Sequence, residues 1–366
     1  MTASPSIAPF SNLALTAGAL NHGGGAERYT RDIVSGLHRM GITPTLFAKK
    51  IDRSLEEAQW VDAHELNVRW APNKLSNWAF NWRLSRQLRK RPPHTIFAIN
   101  HVVCADVALC GGTHPGALAA AGKRSRLGDK WQIALERRTY DHARVIMAHS
   151  ELMSRELQRF YGIPQERIHV IYPPVDTARF RPLDQEQRMQ IRRDSGLPED
   201  RMVFAFSSTS HKRKGYALLE DFFASTDLPI CLAVAGRPVP KTSDKIRYVG
   251  YRRDMENFFA AADYTIVASE YEPFGLVGVE SVMCGTPLVI ADNVGSAEAV
   301  RDDAKIVFSR QQSGTFEHAI RQAIATASNG ASRIQQPRRS LVYNPEVDTH
   351  VLALCELIRS LPNQRF

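Results

Sequence analysis

Cysteine is scarce in this chain: Cys104, Cys110, Cys231, Cys284 and Cys355 are the five among 366 residues. None forms a CxxC pair, and no histidine cluster stands at metal-ligand spacing. A disulfide framework and a structural zinc site are therefore excluded as organising principles. Mostly apolar surroundings suggest buried reduced thiols, as in a cytoplasmic protein. No run approaches the roughly 20 apolar residues that span a bilayer. Residues 1–12 carry no positive charge and LALTAGAL is short, so no signal peptide is expected. Neither GxGxxG nor a P-loop lysine is present. Acidic residues are outnumbered, 38 against 47 basic, for a net charge of +9. That excess favours an anionic partner: nucleic acid, a membrane surface or a phosphorylated substrate. No nucleic-acid motif is visible, and nucleic acid is not expected as a partner.

What is present is an alternation of strand and helix patterns, written twice. In the first half, Asn12–Thr16 reads as a strand, NHGGGAER as a loop, Ala26–Met40 as an amphipathic helix and Pro44–Ala48 as the next strand. Further strands are expected at Thr95–Ile99, Ala108–Cys110, Val145–Ala148 and His169–Tyr172. The segment YPPVDTARFRP holds three prolines, which force extended backbone and suggest a linker at 173–184. The second half restarts with strands at Val203–Ser207, Ile230–Ala235, Arg247–Val249, Tyr264–Ala268 and Pro287–Ala291. Helices are expected between them at Tyr216–Ala224, Met255–Ala262 and Leu276–Met283. The fold class is thus α/β, with two Rossmann-like doubly wound domains, 1–172 and 185–345, facing each other across a cleft. A last helix, Val347–Leu361 within 346–366, is expected to pack back on the domains.

Chemistry-bearing residues concentrate at expected strand ends, where open α/β sheets bind ligands. Gly23-Gly24-Gly25 lies between a strand and a helix N-terminus, so its amides suit an anion, unless it is only a tight turn. SSTSHKRKG places Lys212, Arg213 and Lys214 after a strand, facing either an anion or solvent. In SEYEPFGLVGVE, Glu272 falls in a loop at the sheet edge. Phe274, Gly275 and Leu276 open a helix whose amides point outward, and Glu280 lies one turn in. Carboxylates that far apart suit two polyol contacts better than one proton relay, although a helix-dipole glutamate plus a solvated one would look the same. His114, in GGTHPG, follows another strand.

Two stretches are basic and aromatic. One ends in Arg86, Arg89, Lys90 and Arg91; the other contains Lys123, Arg124, Arg126, Lys130 and Trp131. Such segments suit an anionic membrane surface, or form a solvated helix face lying on the core.

Together, GGGAER, SHKRKG, EPFGLVGVE and CGTPLVIADNVGSAEAV resemble the family-4 retaining glycosyltransferases of GT-B fold, over most of the chain. The E-x7-E element with its GTPLV strand is the most specific part. The resemblance implies that Glu272 contacts the donor sugar and Glu280 the nucleotide ribose. It implies that Arg213 and Lys214 hold the donor diphosphate, that Gly24 and Gly25 lie near the diphosphate and acceptor, and that His114 sits by the donor sugar. The arginine that the family carries several residues before the lysine is absent; Ser207–Ser210 stand there. More of the phosphate binding then falls on Arg213 and Lys214. ADVALCGGTHPGAL and the basic segment after it look most like bacterial lipopolysaccharide core glucosyltransferases, peripheral enzymes of the inner membrane face.

The function expected on that resemblance is transfer of a hexose, glucose from UDP-glucose, to a glycan or glycolipid acceptor. The nucleotide sugar is a substrate, and no cofactor or metal is expected because no DxD-type site stands in a plausible place. Mannosyl or other hexosyl transfer to a lipid-linked or exopolysaccharide acceptor stays open, as does a non-catalytic nucleotide-sugar binder. A nucleotide-sugar epimerase would need a Tyr-x-x-x-Lys element, and none is suitably placed.

Overall fold

The structure, a computed structural model, describes residues 10, 12–90, 92–93, 95–328 and 333–361. Arg91 lies outside the described residues. The chain divides into two compact units, one of Met1–Pro174 with Glu346–Phe366, the other of Val175–Pro345.

The first unit holds strands β1 (Leu13–Ala17), β2 (Thr45–Ala48), β3 (Asp62–Glu65), β4 (Thr95–Ala98), β5 (Val107–Cys110), β6 (Val145–Ala148) and β7 (Ile168–Val170). Its helices are α1 (Gly25–Arg39), α2 (Ser76–Leu88), α3 (His114–Ala120), α4 (Leu127–His142) and α5 (Glu151–Glu156). The sheet order is β3-β2-β1-β4-β5-β6-β7, all parallel. Central strands are apolar on both faces because helices cover both; every residue of β1 is buried.

The second unit holds β8 (Met202–Ser208), β9 (Ile230–Gly236), β10 (Ile246–Tyr248), β11 (Tyr264–Val267), β12 (Leu288–Ala291) and β13 (Lys305–Phe308). Its helices are α6 (Gln185–Asp194), before the first of these strands, α7 (His211–Lys214), α8 (Tyr216–Ser225), α9 (Met255–Ala261) and α10 (Leu276–Met283) among them, and α11 (Thr315–Ser328) after the last. The order is β10-β9-β8-β11-β12-β13, again parallel.

Helix α12 (Val347–Arg359) returns to the first unit. It packs so closely on α1 that a Cβ at Gly36 would stand 2.6 Å from Val351. Arg39 donates to Asp348 at 2.7 Å. At the other junction, residues 175–184 belong to the second unit: the Val175 N–H donates to the Pro345 carbonyl at 2.8 Å, and Phe180 is buried.

Candidate functional site

In the second unit, the neighbouring strands β8, β11, β12 and β13 release four loops from one edge of the sheet. The basic run does not simply precede a helix, as the sequence suggests; it is itself the short helix α7. Gly215 then turns the chain at φ +80°, and a Cβ there would collide with the Ala268 carbonyl of the neighbouring loop. The two loops are also joined by their backbones, the Glu270 N–H donating to the Arg213 carbonyl at 2.9 Å. This close approach aims Lys214 at the β11 loop, where its ammonium forms an ion pair with Glu272. Arg213 points outward, exposed and without an ion pair among the described residues.

Glu272 is held from three directions. Its Oε2 accepts from Lys214 and from Ser269 Oγ, the latter at 3.1 Å. Its carbonyl accepts the Gly295 N–H at 3.0 Å. Phe274 is buried, and its carbonyl accepts the Ser296 N–H at 2.7 Å. Gly275 caps α10 at φ +88°, and a Cβ there would stand 2.7 Å from Glu272 Cγ. Only glycine lets the loop close on Glu272 in this way. The first-turn amides, Leu276 among them, have no acceptor inside the helix. Glu280 lies in the second turn of α10 and is buried, 7% exposed. Its charge adds to the burial that pushes the Cys284 thiol up.

Three contributors escape a reading by motif. Ser269 braces Glu272, as above. Asn293 Nδ2 donates to the Ser269 and Glu270 carbonyls at 3.2 and 2.7 Å. Arg310 donates to the Ala268 carbonyl at 2.7 Å. Their shared signal is position, two residues beyond strands β11, β12 and β13.

In the first unit, His114 begins α3, which Thr113 caps by accepting the Gly116 N–H. The His114 N–H donates to Glu136 at 3.0 Å, and its Nε2 lies 2.9 Å from Asp129 Oδ1. The Arg126 amide and His114 together hold the Asp129 carboxyl below its usual range. Glu136 is 3% exposed and also accepts from Tyr161 Oη and Gln132 Nε2. Burial, reinforced by Glu136, drives the Tyr161 phenol far up. Around Gly24 and Gly25 the loop is not empty. Glu27 folds back on it, its Oε2 3.5 Å from where a Gly24 Cβ would stand.

The two basic stretches are mostly the helices α2 and α4, and they touch. Asn77 Nδ2 donates to Gln132 at 3.1 Å, and Arg138 stacks over Trp78 at 5.1 Å. Part of the expected membrane face is therefore spent on packing. What stays exposed is Trp82 with Arg86 stacked on it at 4.9 Å, Arg89 and Lys90, and the segment of Lys123, Arg124, Arg126, Leu127, Lys130 and Trp131. No helix of the described residues is long and apolar enough to cross a membrane. Nor do the described residues gather three or more His, Cys, Asp or Glu in a metal-holding group.

Residues 23–179 match the model of glycosyltransferase family 4, and residues 187–339 that of glycosyl transferases group 1. A protein described as a probable transglycosylase from Burkholderia thailandensis is 42% identical over 356 residues, covering 96% of this chain and 98% of that one. A D-inositol 3-phosphate glycosyltransferase from Jonesia denitrificans is 29% identical over 45% of each chain. Among solved structures, WaaG, a glycosyltransferase involved in lipopolysaccharide biosynthesis, superposes with a TM-score of 0.79 at 16% identity, over 95% of this chain and all of that one. HepE of Anabaena in complex with UDP and glucose superposes with 0.74 at 18% identity, over 96% and 100%. With two parallel α/β units, a paired lysine and glutamate at one sheet edge and both family models matched in order, this chain belongs to the family-4 glycosyltransferases of GT-B fold.

Proposed function

We propose that the chain is a retaining hexosyltransferase. It moves glucose from UDP-glucose to a cell-envelope glycan, the lipopolysaccharide core, at the inner face of the membrane. The observation that carries the donor half is the Lys214–Glu272 pair, braced by Ser269 at the edge of the second sheet. Glycosyl transfer must stabilise a departing diphosphate and a sugar with oxocarbenium character. Arg213 and Lys214 supply cations to the diphosphate, and the amides at 274–276 supply aligned dipoles, so positive charge is available without a metal. Glu272 positions the sugar through its hydroxyls rather than moving a proton. Glu280 takes the ribose; Gly24, Gly25 and His114 keep the roles that the family resemblance gives them. Retention proceeds either by same-face attack or through a covalent glycosyl-enzyme intermediate, and no side chain is assigned as nucleophile. HepE binding UDP and glucose, and WaaG acting in lipopolysaccharide biosynthesis, support the donor and the acceptor class respectively.

Thermal shift against UDP, GDP and ADP sugars tests the donor, because a ligand that binds only the native state raises its stability. UDP-glucose is expected to give the largest shift, and Lys214→Ala and Glu272→Ala to abolish transfer. Transfer that survives both variants overturns the site.

A further inference from the structure

We propose that Arg310, in the loop after β13, is a further donor-binding residue whose guanidinium holds the phosphate that departs from the sugar. The proposal rests on the reading of this sheet edge as a nucleotide-sugar site.

It starts from the charge available at that edge. A nucleoside diphosphate carries several negative charges. When the bond from the anomeric carbon to the phosphate oxygen breaks, its electron pair stays on that oxygen and adds one more. Lys214 answers little of this as the site stands, because Glu272 already pairs with it. The other two cations of α7, Lys212 and Arg213, are exposed, and exposed charges act through screening water. The end of β8 adds none, since Ser207–Ser210 hold no basic residue.

Arg310 is half-buried and stands among these loops. Its Nη1 donates to the Ala268 carbonyl at 2.7 Å and lies 2.6 Å from where a Cβ of Gly215, the residue after Lys214, would stand. A guanidinium has five N–H donors, and this is the one hydrogen bond Arg310 makes among the described residues. No carboxylate pairs with it among them either. Glu272 is engaged by Lys214 and Ser269, and neither Glu270 nor Asp292 on the adjoining loops forms an ion pair with it. A partly desolvated guanidinium without a counter-ion is costly, and an anionic ligand offsets that cost.

The surroundings of Arg310 are fixed. Thr315 Oγ1 accepts the Ser309 N–H at 3.1 Å and donates to the Ser309 carbonyl at 2.7 Å, which anchors the backbone just before it. Segment 268–270, on which the guanidinium rests, is tied to the β8 loop through the Arg213 carbonyl and to the β12 loop through Asn293. Bracing the Ala268 carbonyl needs one neutral donor; it accounts for neither the charge nor the remaining N–H groups. Those groups can meet two phosphate oxygens in parallel, which a lysine ammonium cannot.

Calorimetric titration of the full chain tests this. UDP, GDP and ADP are titrated first, and the tightest binder is compared with its monophosphate, UMP, GMP or AMP. The wild type is expected to prefer the diphosphate. Arg310→Gln removes the charge and keeps an N–H donor. It is expected to weaken diphosphate binding by about tenfold or more and monophosphate binding by less than about threefold, with a melting temperature within a few degrees of wild type. Arg310→Lys keeps the charge and is expected to recover most of the loss. Equal weakening of both ligands, no weakening of either, or a lysine variant no better than the glutamine one makes Arg310 a brace of the loop and overturns the proposal. If Lys214→Ala weakens the diphosphate and Arg310→Gln does not, the donor site stands without Arg310. A wild-type chain that binds none of the three diphosphates overturns both readings.

Discussion

Lys214 and Glu272 are 58 residues apart in sequence and form one ion pair in the fold, each side chain about seven-eighths buried. The contact joins two segments that read separately as a phosphate-binding lysine and a sugar-binding glutamate. Each therefore sets the other's position before any donor arrives. Removing one partner leaves a buried charge unanswered, which costs more than the pair itself contributes.

The two residues should accordingly fail as a unit. Lys214→Ala and Glu272→Ala are each expected to lower kcat/KM for the donor by two to three orders of magnitude, about 3–4 kcal/mol. The double variant should be little worse than either single one, with a coupling energy of about 0.5–3 kcal/mol. Strictly additive losses would mean that the two side chains act independently and that the pair is incidental.

Gly275 tests the geometry of the same loop. At φ +88°, any side chain is strained by about 1–3 kcal/mol, and a Cβ would also press on Glu272 Cγ. Gly275→Ala should lower the melting temperature by a few degrees and reduce transfer far more than that loss of stability explains. A variant that melts lower yet transfers normally would show that Glu272 tolerates displacement.

Much of this was legible because buried parallel strands announce themselves. Strand Val145–Ala148, an apolar run cut off sharply, has the same bounds in sequence and structure, as does the helix Leu276–Met283, which Gly275 opens and Cys284 closes. β3 escapes because Asp62–Glu65 is an edge strand without apolar alternation. α6 escapes for a different reason: its buried face is arginine. Arg188 and Arg192 are 6% and 5% exposed, bonded to the Ala260 carbonyl and to Asp263, so apolar periodicity cannot see them. In the site, Glu272 and Lys214 stand out as charges near glycines. Ser269, Asn293 and Arg310 do not, because they act on neighbouring loops rather than within a local pattern.

The first unit should lose stability in mild acid. His149 and His350 sit with Tyr29, whose ring is 4.8 Å from that of His149 and whose hydroxyl is 2.8 Å from His350 Nε2. Burial pulls the His149 imidazole down to about 3 and the His350 imidazole to about 4. Below pH 6.5 the unfolded chain takes up protons that the folded chain refuses. Stability is therefore full above pH 6.5 and falls as pH drops toward 4, by up to about 1.4 kcal/mol per pH unit for each group. Urea midpoints followed by tryptophan fluorescence at pH 7 and pH 5 measure this. His149→Leu should flatten the dependence by about one proton; an unchanged slope would place the acid sensitivity elsewhere.

The proposed membrane attachment should depend on charge at a small and well-defined segment. Leu127 is 74% exposed and Trp131 49%, and Lys123, Arg124, Arg126 and Lys130 surround them. An exposed leucine and tryptophan flanked by cations suit an anionic surface, each cation adding about 1 kcal/mol near it. Flotation with phosphatidylglycerol vesicles is expected at low salt and to weaken as salt rises. Charge reversal at Lys123 and Arg124 should abolish it, while Arg86→Ala on α2 and Arg89→Ala just past its end should weaken it less, since Arg86 is already stacked on Trp82. A chain that fails to float with anionic vesicles at low salt has no such surface, and the basic residues of α2 and α4 are then a solvated face of the first unit.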